Sequence, residues 1–177
     1  MAILITFYSR AGENYFGGTY RRVAAGNTEK AAEMLSRLTG GELLRIDTAV
    51  PYSGSYDDVV EQGQREVERG YEPELKPVGA DIAGYDVIAV GTPTWWYTMA
   101  PAVRTFLHQN DLRGKTVVPF MTNGGWPGHV IKDMKALCPG ADAVCEMQVK
   151  FDSNGGDHLE TPESKIEAWA QSVKALL

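Results

Sequence analysis

Cysteine, histidine and basic charge are scarce in this sequence, and each shortage removes a class of function. Only two cysteines occur, Cys138 and Cys145, without CxxC or metal-ligand spacing. Neither a disulfide framework nor a metal centre is expected, and both read as buried free thiols in a reducing compartment. The formal net charge of −6 leaves no basic patch for nucleic acid or an anionic membrane. No apolar run approaches the length of a membrane span, and Met1 to Ile5 lacks the basic start of a secretory signal. A single cytoplasmic domain over residues 1–177, directed at a small molecule, is the expectation.

What is present starts with Ile3, Leu4, Ile5, Thr6, Phe7 and Tyr8, a run rich in β-branched and aromatic residues that predicts a buried strand ending at Ser9 and Arg10. Downstream, Gly26-Asn27-Thr28-Glu29 opens a stretch whose Ala31, Leu35 and Leu38 recur at helical spacing, with Asn27 as the expected N-cap. A strand feeding a small-residue turn at a helix N-terminus is an anion site, because unpaired amide N–H groups and the positive end of the helix dipole converge there. Ser9, Asn27 and Thr28 add side-chain donors for phosphate oxygens. Between the two halves lie fifteen residues, 11 to 25, where a strand-to-helix loop usually takes about two to six. Tyr15-Phe16-Gly17-Gly18-Thr19-Tyr20 has the Gly-Gly centre and aromatic flanks of a hairpin, so an ordered flap is expected beside the site.

Further strands are predicted at 42–47, 85–91 and 115–121, the last in spite of Pro119. A final edge strand alternates Cys145, Met147, Val149 and Phe151 with Glu146, Gln148 and Lys150. Helices follow each: a polar surface helix over 56–69 with Val60, Gln64 and Val67 on one side, one from Pro101 with Val103, Phe106 and Leu107 inward, one carrying Val130, Ile131, Met134 and Leu137, and a closing one with Ile166, Trp169, Val173 and Leu176. Five strands each followed by a helix make a doubly wound parallel sheet with ligands at the strands' carboxyl ends. Three loops, 9–28, 92–97 and 122–128, then share one edge and bring Trp95, Trp96, Tyr97 and Trp126 together with glycines that admit a ligand closely. They describe a pocket for a phosphate joined to a flat aromatic ring. The stretch from Asp152 to Asp157 reads as a plain turn, since its spacing misses a calcium loop.

On Tyr8-Ser9, Gly26-Asn27-Thr28-Glu29, Gly91-Thr92-Pro93-Thr94-Trp95 and the glycine-rich loop after the fourth strand, the chain resembles the flavodoxin family along its whole length. The resemblance implies a flavodoxin-like α/β fold, a five-stranded parallel sheet in the order 2-1-3-4-5 with helices on both faces, and FMN as the cofactor. It implies that Ser9, Arg10, Gly26, Asn27 and Thr28 hold the FMN phosphate. Thr92, Pro93, Thr94, Trp95 and Trp96 would pack on one side of the isoalloxazine, and Thr122, Asn123, Gly124, Gly125 and Trp126 would line its other side or its pyrimidine edge. The implied activity is electron transfer between a reductase and an acceptor enzyme, with no catalytic acid or base and no metal.

The chain departs from the family pattern in three places. Residues 11–25 form an insertion that suggests a sub-family with its own partner or lid. Trp96 and Tyr97 follow Trp95, where flavodoxins usually place a glycine. Neither 92–97 nor 122–128 contains an acid, so docking to a basic partner by charge is weak. Two other classes stay open. One is an NAD(P)H-dependent quinone or nitro-compound reductase, with His129 as a proton donor; the other is a binding module without redox turnover.

Overall fold

The computed structural model describes residues 2–152 and 156–177. In chain order it runs β1 (Ile3–Phe7), a hairpin of β2 (Gly12–Phe16) and β3 (Thr19–Val23), α1 (Asn27–Thr39), β4 (Glu42–Arg45), α2 (Tyr56–Arg69), β5 (Val87–Trp95), β6 (Thr98–Met99), α3 (Pro101–Gln109), β7 (Thr116–Asn123), α4 (Val130–Ala136), β8 (Asp142–Ala143), β9 (Met147–Lys150) and α5 (Glu163–Lys174). The main sheet has the order β4-β1-β5-β7, with β8 and β9 both parallel to the far side of β7. This is the expected 2-1-3-4-5 arrangement with its fifth strand in two pieces. No helix among the described residues is long and apolar enough to cross a membrane.

Alternation along a strand sends successive side chains to opposite faces, and here both faces are apolar. Ile3, Ile5 and Phe7 pack with Leu35 of α1 and with Ile166, Trp169 and Val173 of α5. Leu4 and Tyr8 point the other way, to a second core with Phe106 of α3 and Met134 of α4. A strand buried on both faces needs such a continuous apolar run.

Three elements differ from expectation. β5 does not stop at Gly91. It continues to Trp95, because Thr92 and Pro93 stay in register with Met121 and Thr122 of β7, and it then folds back on β6. The fifth strand breaks between Ala143 and Met147, opposite Pro119. Val117 C=O accepts from Val144 N at 3.0 Å, so strand alternation turns Pro119 toward the same neighbour, where its missing N–H leaves nothing to pair. The chain bulges there, with Cys145 at φ 52°, and Trp169 Nε1 donates to the Cys145 carbonyl at 2.7 Å. Cys145 is only partly buried, against expectation, while Cys138 is buried and its thiol is pushed up to about 11 by desolvation. Finally, α2 buries Val59, Gly63 and Glu66, one position off the expected Val60, Gln64 and Val67. The reason is Gly63, where a Cβ would sit 2.4 Å from Trp95 Nε1; only a bare backbone lets that indole pack on the helix.

Candidate functional site

β1, β5 and β7 are adjacent and parallel, so the segments leaving their carboxyl ends meet at one edge, where the chain reverses direction across the sheet. The first segment is the turn after Tyr8. Asn27 is not the N-cap of α1. Gly26 takes that place with extended backbone and no side chain, and a Cβ on it would lie 2.4 Å from Ser9 Oγ and 2.5 Å from Arg10 O. That close approach lets Ser9 cap the helix from outside, its Oγ accepting from Glu29 N at 3.1 Å. Asn27, the first helical residue, donates through Nδ2 to Gly156 O at 3.1 Å, and its Oδ1 is buried with no partner among the described residues. The backbone N–H groups of Asn27 and Thr28 have no backbone acceptor among the described residues, as the geometry of a first helical turn requires. Thr28 Oγ1 pairs with Thr122 Oγ1 at 2.7 Å, which ties this turn to β7 and leaves one hydroxyl proton of the pair free to donate.

Arg10 is turned partly aside. Its guanidinium donates to the carbonyls of Glu13 and Ser53 and lies over the Tyr56 ring, 5.9 Å from the centroid. Burial lowers its affinity for a proton relative to an exposed arginine. Arg45 braces the same turn by donating to Ser9 O at 3.2 Å and pairing with Glu29.

The second and third segments supply the rings. Trp95 is packed inward, at 5.9 Å from Tyr8 and 5.4 Å from Tyr52, with its Nε1 buried and unpaired among the described residues. The exposed rings are those of Trp96, Tyr97 and Trp126, at 38%, 52% and 68% exposure. Trp96 leans on α2 by donating from Nε1 to Val60 O at 2.8 Å. The loop carrying Trp126 is fixed to Tyr97: His129 N donates to Tyr97 O at 2.8 Å, and a Cβ on Gly128 would lie 2.2 Å from that same oxygen. Asn123 shapes its own loop by accepting from Gly125 N at 2.8 Å.

These segments enclose a cavity of about 870 Å³. Ser9, Arg10, Gly26, Asn27, Thr28, Pro93, Thr94, Trp95, Trp96, Thr122, Asn123, Gly124 and Trp126 all border it; Thr92 and Gly125 do not. Thr92 is fully buried, and its Oγ1 accepts from Ala100 N at 2.9 Å, joining the end of β5 to the start of α3. The lining also includes Asn14 through Gly18 of the hairpin, Tyr56, Val59 and Val60 of α2, and Phe151 and Gly156, none of which the sequence pattern marks as cavity positions. The Gly-Gly turn signal pointed to the hairpin; nothing local marks α2, which arrives through the Gly63–Trp95 contact. His129 stands outside the cavity, exposed, with Nδ1 paired to Asp133. The predicted turn between Asp152 and Asp157 runs through residues 153–155, which lie outside the described residues.

The sequence profile of the family described as Flavodoxin matches residues 19–161. No curated protein matches the chain. Among solved structures it is similar to a candidate flavoprotein from Bacteroides eggerthii, with 29% identity, a TM-score of 0.72 and 97% of each chain covered. It is also similar to a flavoprotein in complex with FMN from Lactobacillus acidophilus, with 20% identity and a TM-score of 0.66 over 96% of this chain and 98% of that one. A third likeness, to oxidised flavodoxin 2 from Bacillus cereus, has 16% identity and a TM-score of 0.56 over 100% of each chain. With the profile spanning most of its length, the chain belongs to the flavodoxin family.

Proposed function

We propose that this chain binds FMN along the large cavity and carries electrons between a reductase and an acceptor enzyme. The observation that carries the reading is the cavity's charge. In a protein of net charge −6, its lining holds one cation, Arg10, and no carboxylate among the described residues. One end offers the Asn27 and Thr28 amides and the Ser9 hydroxyl to a phosphate, and the other offers uncharged aromatic surface to a flat ring. The residues fit the group. Asn27 Oδ1, buried and unpaired, suits a hydroxyl of the sugar-alcohol chain, and the bare Gly26 brings Ser9 against the helix start.

Bound there, FMN supplies the electron-transfer chemistry. The chain's own residues bind and orient it. Asn27, Thr28 and Ser9 hold the phosphate, while Pro93, Thr94 and Trp96 on one side and Asn123, Gly124 and Trp126 on the other receive the ring. Arg10 and the hairpin screen the phosphate end from water, and Thr92 and Gly125 act through the loops they shape. No histidine borders the cavity among the described residues, so no side chain there has the ordinary strength of a general acid near neutral pH. This favours a carrier over a self-sufficient reductase. A cytoplasmic setting suits the two unpaired thiols.

Titrating FMN into flavin-free protein tests the reading. One-to-one binding with shifted visible bands and quenched flavin fluorescence is expected, and Gly26→Ala should weaken it about tenfold or more by pushing Ser9 away. Absence of binding sinks the proposal. Rapid bleaching of the bound flavin by NAD(P)H alone would move the assignment to a quinone or nitro-compound reductase; reduction only through added reductase supports the carrier.

A further inference from the structure

A smaller cavity of about 300 Å³ shares Ser9 and Arg10 with the large one and is otherwise built from the hairpin base, the segment after β4 and the loop at 51–54. It has four cations, Arg10, Arg22, Arg45 and Lys76, against two carboxylates, Glu13 and Asp47. This is the opposite balance to that of the whole protein. Arg45 is engaged by Glu29 and Ser9 O, and Arg10 by the Glu13 and Ser53 carbonyls. Glu13 is also occupied, its Oε1 accepting from Tyr56 N at 2.9 Å. Arg22 and Lys76 have no side-chain partner among the described residues; the Asp47 carboxylate makes no hydrogen bond or ion pair there but acts electrostatically on Tyr8. Tyr8, 5% exposed, contributes to the lining, and its hydroxyl makes no hydrogen bond among the described residues. Burial pushes that phenol's ionisation up, with nearby Arg10 opposing, so it keeps its proton and can donate.

We propose that this smaller cavity binds the phosphate group of a small ligand, held by Arg22, Lys76 and the Tyr8 hydroxyl. Arg22 and Lys76 are exposed cations on the lining of this one cavity. An entering dianion gains charge-assisted hydrogen bonds from them. Asp47 disfavours a bare anion and favours a phosphate attached to a body with hydroxyl donors, which sets an organic phosphate above free phosphate. The assignment does not rest on the flavin reading, because Arg22, Asp47, Lys76 and Tyr8 lie outside the lining of the large cavity.

The test is an amide NMR titration of the full chain with ribose 5-phosphate and, separately, with inorganic phosphate, at constant ionic strength set by chloride. Saturable shifts at Arg22, Asp47, Thr48 and Lys76 are expected. In Arg22→Ala/Lys76→Ala the affinity read there should fall about tenfold, with any response at Asn27 and Thr28 unchanged. Tyr8→Phe should lower it severalfold while leaving the amide spectrum elsewhere intact. Tighter binding of ribose 5-phosphate, with the gap closed by Asp47→Asn, identifies an organic phosphate; equal affinities identify free phosphate. Shifts confined to Asn27 and Thr28, no saturation, or an affinity unaltered in the double variant would each overturn the site.

Discussion

Trp96 and Tyr97 occupy the two central positions of the β5–β6 turn at φ 48° and 68°. A side chain at such angles crowds its own backbone, and two-residue turns of this kind ordinarily use Asn-Gly. Strain of about 1–3 kcal/mol per residue persists only where the surroundings hold it. Here the holding contacts are the Trp96 bond to Val60 O and the His129 bond to Tyr97 O. Tyr97 also borders the large cavity. Tyr97→Gly keeps the backbone contact and removes the strain, so urea unfolding should show a gain of about 1 kcal/mol, while FMN affinity should fall with the lost ring. No gain in stability would mean that the half-exposed Tyr97 ring packs well enough to outweigh its strain. The sequence made these aromatics visible as a site, yet Trp-Trp-Tyr carries no turn signal, and the inward rotation of Trp95 depends on Gly63, thirty-two positions earlier in the chain.

The hairpin is the element that distinguishes this chain's site, and it is latched at two places. Toward α2, Glu13 caps the helix at Tyr56 N, and Tyr20 Oη donates to Asp57 at 2.8 Å; the same bond raises the Tyr20 ionisation. Toward the chain after β9, Arg21 meets Asp157 at 3.5 Å, and Lys30 of α1 meets it at 3.2 Å, holding that carboxyl below its ordinary range. Each exposed contact is weak alone, so the hairpin is a flap that local opening can release. Tyr20→Phe combined with Arg21→Ala should speed chymotryptic cleavage at Tyr15 and Phe16 severalfold in flavin-free protein, with bound FMN restoring protection. Unchanged cleavage would show that the β2–β3 ladder and the Tyr15–Tyr56 stack, at 6.2 Å, suffice to hold it. The hairpin was legible because Gly17-Gly18 marks its turn locally. The extension of β5 and the break opposite Pro119 were not, since both are set by pairing with β7 and no local pattern encodes a partner's register.

At the scale of the molecule, one sheet separates two apolar layers, and every central strand contributes to both. Neither layer can lose its packing while β1, β5 and β7 keep theirs, so the chain should unfold as a single cooperative unit over residues 1–177. Two tryptophans report the layers separately. Trp95 packs with Tyr8 and Tyr52 on one side, and Trp169 packs on Phe120, 5.5 Å between centroids, on the other. With Trp96 and Trp126 replaced by Phe, variants retaining only Trp95 or only Trp169 should give coincident urea midpoints once corrected for each variant's own stability by circular dichroism. Phe106→Ala in the first layer and Leu35→Ala in the second each empty a fully buried position. Each should remove about 3 kcal/mol from that one transition, without splitting it. Separate midpoints for the two tryptophans within one variant would instead mean that the α1–α5 layer and the α3–α4 layer melt independently, and the sheet would then be a scaffold that outlives one of its cores.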